Sequence, residues 1–285
     1  MKGAFLFSVD LEDIRLRLDH PGKYQERVPQ NTYRYLDWLR RHNSTCTFFV
    51  TGDMAVLYPS LIREILSEGH EIACHTFDHI PLDRQTALQF RDDMKRNMDV
   101  LYAAGASDIK GFRAPIFSLT PGTQWAYDVL AELGFTYSSS VLPAKNPFYG
   151  WENFGSAPRI MNGICEIPLT VAKFGPLTIP VAGGIYFRVL PWFFINREIQ
   201  KCLENDIPAI SYFHPYDIDH DQERYMNPGI NNSRIYNFLM YYNRSKLLKK
   251  MDKVIEKGFR VMTYSDYLKN ILLSDHVIRD QAFVG

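Results

Sequence analysis

The chain has 285 residues, 46% of them hydrophobic and 22% charged, which is an ordinary composition for a globular protein with a sizeable buried core. Its 32 basic and 32 acidic residues cancel. No basic stripe for nucleic acid stands out, and no apolar run approaches the ~18 residues of a membrane-spanning helix.

Short apolar runs alternate with helical periodicity along the chain. Ala4–Val9 reads as a strand, followed by a loop to Pro29 and a helix near Asn31–His42. Cys46–Thr51 is a second strand, and a helix through Leu61, Ile65 and Leu66 stops at Gly69. Glu71–Cys74 is a third strand. Phe90, Met94, Met98 and Leu101 then mark a helix, with Gly105 after it. Lys110–Arg113 is another strand, Pro121-Gly122 opens a helix to Leu133, and Phe135–Ser139 returns as a strand. The stretch from Val141 to about Gly184 is rich in Pro, Gly and Asn and reads as loops and short strands. A helix near Pro191–Asn205, the strand Ala209–Phe213, a helix through Leu247, Met251 and Val254, and the strand Phe259–Thr263 complete the pattern. About seven β-to-α steps without a linker predict one α/β, barrel-like domain spanning 1–285.

The N-terminus starts Met1-Lys-Gly-Ala and lacks the apolar region and cleavage site of a secretory signal. Cys46, Cys74, Cys165 and Cys202 are scattered, with no Cys-x-x-Cys pair. Reduced, buried thiols in a cytoplasmic protein are the expectation.

Asp10, His75, Arg113 and His214 each fall at or just past the end of a predicted strand, and in barrels those ends share one catalytic rim. His75 and His79 are four apart, so a helical turn would aim both imidazoles at one ion. A carboxylate from Asp10-Leu-Glu-Asp13 would complete a three-ligand site, with Asp13 preferred and Glu12 as the alternative. Two imidazoles and a carboxylate suit Zn²⁺, Fe²⁺, Co²⁺ or Ni²⁺. Asp10 is then free to act as a base, Arg113 to hold it ionised, and His214 to act as general acid, with Asp217 placed to orient it. Tyr186 and Arg188 are candidates for substrate contact, and Asp217 is a further one. Ser138–Ser140 lacks the Gly-x-Ser-x-Gly setting of a nucleophile, and the pair Gly183-Gly184 lacks a phosphate-binding pattern. His70 reads as structural.

Together, Ser8-Val-Asp10-Leu-Glu-Asp13, His75-Thr-Phe-Asp-His79, Arg113-Ala-Pro115 and Tyr212-Phe-His214-Pro215 resemble the ordered motifs of the polysaccharide deacetylase family. This is the NodB-homology domain of carbohydrate esterase family 4, and the resemblance runs from about Phe5 to Leu268. It implies a distorted (β/α) barrel and metal-dependent N-deacetylation of an amino sugar in a cell-surface glycan or its precursor. Asp10 would be the base, His75 and His79 metal ligands, Arg113 the base's partner and His214 the acid. The Asp10-x-Glu-Asp13 and Gly183-Gly-x-Tyr-Phe-Arg188 stretches most resemble the branch associated with exopolysaccharide and lipopolysaccharide assembly. Two departures stand out: Leu11 and Glu12 separate aspartates that are usually adjacent, and Ser138 stands where relatives often carry aspartate. The competing readings are an amidase or deformylase on a small or nucleotide-linked amide, and an inactive glycan-binding module.

Overall fold

A computed structural model describes residues 3–145, 149–175, 177–228 and 230–273. Met1, Lys2 and residues 274–285 of the expected 1–285 domain lie outside the described residues.

The first predicted strand is two strands in line. β1 (Ala4–Leu6) and β2 (Ser8–Leu11) break at Phe7, whose N–H bonds back to the Phe5 carbonyl at 3.0 Å. The break lets one extended run serve two sheets. β2 pairs in parallel with β3 (Thr47–Val50), β3 with β4 (Glu71–Cys74), β4 with β5 (Gly111–Phe112), and β5 with β6 (Tyr137–Ser138). Next come β7 (Arg159–Met161) and β8 (Ile164–Glu166); β8 lies parallel to β6, and β7 closes the edge antiparallel. β9 (Val171–Phe174) and β10 (Leu177–Pro180) form a separate hairpin. β11 (Ala209–Ile210) and β12 (Arg260–Met262) flank β1 in parallel, and a bridge from Val9 to Phe213 carries the β11 line alongside β2.

Strand side chains alternate between faces, and the two faces build two cores. Phe5, Phe7, Val9, Leu11, Phe48, Val50, Ile72, Cys74 and Phe112 point outward into the layer of surrounding helices. Leu6, Phe49, Ala73, Tyr137, Cys165 and Ile210 cluster instead on the enclosed side, with Met262 and Tyr264. Burying each large side chain of this kind stabilises the fold by about 1.5–3 kcal/mol. The result is a distorted α/β barrel with its inner face filled at one end and polar at the other.

The outer layer comprises α1 (Val28–Arg41), α2 (Gly52–Leu57), α3 (Pro59–Ser67), α4 (Ala87–Ala103), α5 (Trp125–Glu132), α6 (Gly184–Val189), α7 (Trp192–Glu204), α8 (Arg234–Tyr241), α9 (Leu247–Glu256) and α10 (Tyr264–Leu273). Among the described residues no helix is long and apolar enough to cross a membrane. Four of these helices, α2, α6, α8 and α10, escape the periodicity reading. The helix expected from Pro121 starts at Trp125, after a 3-10 turn at Pro121–Thr123. The glycine pair read as loop opens α6. A Cβ at Gly183 would sit 2.4 Å from both the ring and the carbonyl of Tyr212, so only glycine fits there.

Candidate active site

Every expected rim residue continues the inward parity of its strand. Ser8, Asp10 and Glu12 extend the inward face of β2, His75 that of β4, Arg113 that of β5, and His214 follows Ile210 and Tyr212. The register aligns Leu11, Val50, Cys74 and Phe112 at one level. Residues one step beyond that level therefore meet over the barrel mouth.

Arg113 is fully buried. Its guanidinium donates to Asp10 Oδ1 at 2.6 Å and Ser8 Oγ at 2.8 Å, to the Ser139 carbonyl at 3.0 Å and to Tyr264 OH at 2.8 Å. Its flat face lies 4.0 Å from the Phe49 ring centroid. A fork tied at this many points is rigid, so Asp10 is held in one orientation.

The three donors that converge are Glu12, His75 and His79, with ligand atoms all within 4.8 Å of one another. His75 Nδ1 is 2.8 Å from the Arg113 carbonyl. A carbonyl only accepts, so Nδ1 carries the hydrogen and the Nε2 lone pair is free. Burial lowers the pKa of both histidines, that of His79 to about 3, against the opposing pull of Glu12. Both are thus neutral donors. Burial works to raise the Glu12 pKa, but His79, Arg17 and His214 outweigh it and hold the group as a carboxylate well below its usual range. Two neutral imidazoles and an anionic carboxylate, largely withdrawn from water, fit a divalent ion.

Asp13, the preferred carboxylate, is not brought to the histidines. It accepts from Arg15 N at 2.9 Å and Arg15 Nε at 3.1 Å, capping the 3-10 turn Ile14–Arg17. Glu12 takes the place instead, with Oε2 3.1 Å from His79 Nε2. The helical turn expected between the histidines is also absent. Thr76 and His79 adopt left-handed φ values of 62° and 53°, and the loop is pinned from α4. Asp93 accepts from Phe77 N at 2.8 Å and Asp78 N at 3.1 Å, while Asn97 donates to the Val50 and Thr76 carbonyls. Neither residue was singled out from sequence. The signal was present, since Asp93 and Asn97 fall on the same helical face as Phe90, Met94 and Leu101.

His214 faces this cluster, with Nε2 3.6 Å from Glu12 Oε1 and 4.0 Å from Asp10 Oδ2. Its ring stacks on Tyr216 at 4.6 Å. Burial works to lower its pKa, but Asp217 at Nδ1, 3.0 Å away, and the carboxylates facing Nε2 raise it overall. Asp217 and Arg188, expected among the substrate contacts, are buried instead. Arg188 Nε donates to Asp217 Oδ1 at 3.1 Å, and Arg188 NH1 to the Tyr242 carbonyl at 2.5 Å. Asp217 stands behind His214, and Arg188 behind Asp217. Tyr186 is half-buried on α6. Ser138–Ser140 serves the frame: Ser140 Oγ accepts from Ala114 N at 2.8 Å, and the buried Glu166 accepts from Ser140 N at 2.7 Å. His70 is buried and accepts from Cys46 N through Nδ1.

Residues 19–138 match the polysaccharide deacetylase family, and residues 139–269 match a domain of unknown function, DUF3473. The peptidoglycan-N-acetylmuramic acid deacetylase PdaA of Bacillus subtilis is 39% identical over 85 residues, covering 30% of this chain and 32% of that protein. A chitooligosaccharide deacetylase of Azorhizobium caulinodans is 31% identical over 140 residues, 49% of this chain and 61% of that protein. The chain therefore matches about a third of the first relative's length and 61% of the second's. A Mycobacterium smegmatis structure assigned to the polysaccharide deacetylases superposes with a TM-score of 0.61 at 18% identity, covering 97% of this chain and 92% of that one. That likeness concerns the fold. The match to the polysaccharide deacetylase family thus covers residues 19–138, and the likeness of fold extends over nearly the whole chain.

Proposed function

We propose that the protein is a metal-dependent hydrolase that removes the N-acetyl group from an amino sugar of a polysaccharide or its precursor. The observation that carries this reading is the convergence of Glu12, His75 and His79 beside a carboxylate and an imidazole with opposite proton tasks. Glu12, His75 and His79 would hold the ion, with zinc the best fit and iron, cobalt or nickel compatible with the same donors. When bound, a divalent ion supplies Lewis acidity toward an amide carbonyl and makes water easier to deprotonate. Asp10, fixed by Arg113, accepts the proton of the attacking water. His214, whose imidazolium Asp217 stabilises at Nδ1, donates a proton to the departing nitrogen. The C–N bond breaks, and water is consumed to leave a free amine and acetate. Tyr186, half-buried on α6, is assigned to substrate contact. Four free, buried cysteines are compatible with a reducing compartment, and we assign the protein to the cytoplasm on that ground.

The proton chemistry separates an enzyme from a glycan-binding module, since binding needs neither base nor acid. Asp10→Asn should retain bound metal yet lose at least ~10²–10³-fold in acetate release from N-acetylated glycan oligomers. Metal content and acetate are measured on the same preparation. Full activity in that variant would remove Asp10 from the mechanism.

A further inference from the structure

The outer face of α8 carries apolar side chains where a surface helix usually carries polar ones. Met240 and Tyr241 turn inward, together with Asn237, which donates to the Tyr225 carbonyl at 3.0 Å. Ile235, Tyr236, Phe238 and Tyr242 remain 74%, 60%, 57% and 40% exposed. Ile235, Phe238 and Tyr242 recur at spacings of three and four, so they form one stripe facing solvent. An apolar surface left open in this way marks an interaction site. We propose that this stripe, with the lysines of α9, docks the protein onto an anionic lipid bilayer, an assignment independent of the deacetylase reading.

The lysines identify the occupant. Lys246, Lys249, Lys250, Lys253 and Lys257 recur at helical spacing, so they share one side of α9 and its two ends. Lys250 fixes where that side lies. Its ammonium donates to the Phe187, Arg188 and Leu190 carbonyls at 2.9, 3.0 and 2.8 Å, and Lys253 lies 5.9 Å from the Trp192 ring centroid. α8 is tied to the same turn, because Arg188 Nη1 donates to the Tyr242 carbonyl at 2.5 Å and Asn243 Nδ2 to the Arg188 carbonyl at 3.3 Å. The lysine side therefore adjoins the end of the apolar stripe. Phe193, 73% exposed, projects from the chain just after that turn. Lys246, Lys249, Lys253 and Lys257 are exposed, and none has an ion pair among the described residues. Asp252 of α9 is turned away to α1, where Trp38 Nε1 and His42 Nε2 meet it at 2.8 and 3.0 Å. Burial pushes the Lys250 pKa down to about 8, and the charges of Lys253 and Lys246 push it the same way. Aromatic and aliphatic side chains edged by unpaired lysines match the boundary between anionic headgroups and acyl chains. A second copy docked about a two-fold axis would instead set two lysine stripes together, which like charge opposes.

The test is flotation of the protein with vesicles of phosphatidylcholine alone and of phosphatidylcholine mixed with phosphatidylglycerol. The protein should partition onto the mixed vesicles at least ~tenfold more strongly, and added salt should weaken that binding. Lys249→Gln should weaken binding to the mixed vesicles about fivefold, and Phe238→Ser about tenfold. Both side chains face solvent in the folded chain, and the comparison of the two vesicle types needs neither variant. No binding, equal binding to both vesicle types, or full binding by the Phe238→Ser protein would overturn the proposal. So would a dimer of the unaltered protein in solution that Phe238→Ser dissolves, since the face would then belong to a second copy.

Discussion

Side chains along an extended strand alternate, so Ser8, Asp10 and Glu12 share the face that looks into the barrel while Leu11 faces the helices. The same parity runs one residue beyond the last ladder pair. It aims Glu12 at the histidines and leaves Asp13 to cap the next turn. These adjacent acids should therefore respond differently to substitution. Glu12→Gln should lose nearly all bound metal without a large structural change. Asp13→Ala should keep its metal while losing about 1 kcal/mol of stability with the cap. Elemental analysis and thermal melting of both proteins decide the matter. Equal metal loss in the two variants would sink the assignment of Glu12.

At the scale of elements, the metal-site loop is a property of α4 as much as of its own sequence. Left-handed φ at two non-glycine residues persists only where surroundings over-determine it, and here Asp93 and Asn97 supply the constraint. Asn97→Ala should weaken zinc affinity about 10–100-fold, as expected for a residue that supports ligands from behind. A competition titration against a chromophoric chelator measures this, and unchanged affinity would show that the loop holds itself. The junction of α3 with β4 carries a pH dependence. Burial lowers the His70 pKa from 6.5 to about 4, and protonating Nδ1 would break its bond from Cys46 N. The unfolded chain thus takes up a proton that the folded one resists. The resulting stability is complete above the unfolded pKa and is lost as pH falls through the window toward about 4. His70→Asn keeps an acceptor near Nδ1 but does not titrate. Its denaturation midpoint should fall less than the parent's between about pH 7 and pH 5, by roughly 1 kcal/mol in stability. Parallel acid limbs would remove His70 from the account.

Over the whole molecule, the rim was legible because parity and strand ends are local properties of the chain. Asp10, His75, Arg113 and His214 each stand at or just past the end of a strand predicted from its own local composition. Asp13 was preferred to Glu12 because Leu11 and Glu12 separate aspartates that are usually adjacent, whereas the parity of β2, which runs on to Leu11, carries over to Glu12. Asp217 stands at His214 Nδ1 as the spacing suggested, whereas the burial of Arg188 behind it has a longer-range origin. That burial depends on α6 and the end of α8, elements without a clear inward apolar stripe, whose carbonyls grip Arg188 from 51 and 54 residues away. The boundary between the two family matches has a related consequence. It falls between Ser138 and Ser139, inside the seven-stranded sheet, where β6 pairs with β8. It also divides the site, with Asp10, His75 and Arg113 before it and Ser139, His214 and Tyr264 after it. Two stretches sharing a sheet and a buried arginine network should unfold together. Far-UV circular dichroism and tryptophan fluorescence should therefore report one coincident transition. Zinc should move both signals upward by the same amount, because ligand binding stabilises the whole cooperative unit. Glu12→Gln should abolish that shift. Two separate transitions, with only one responding to zinc, would mean that the matched stretches are independent domains.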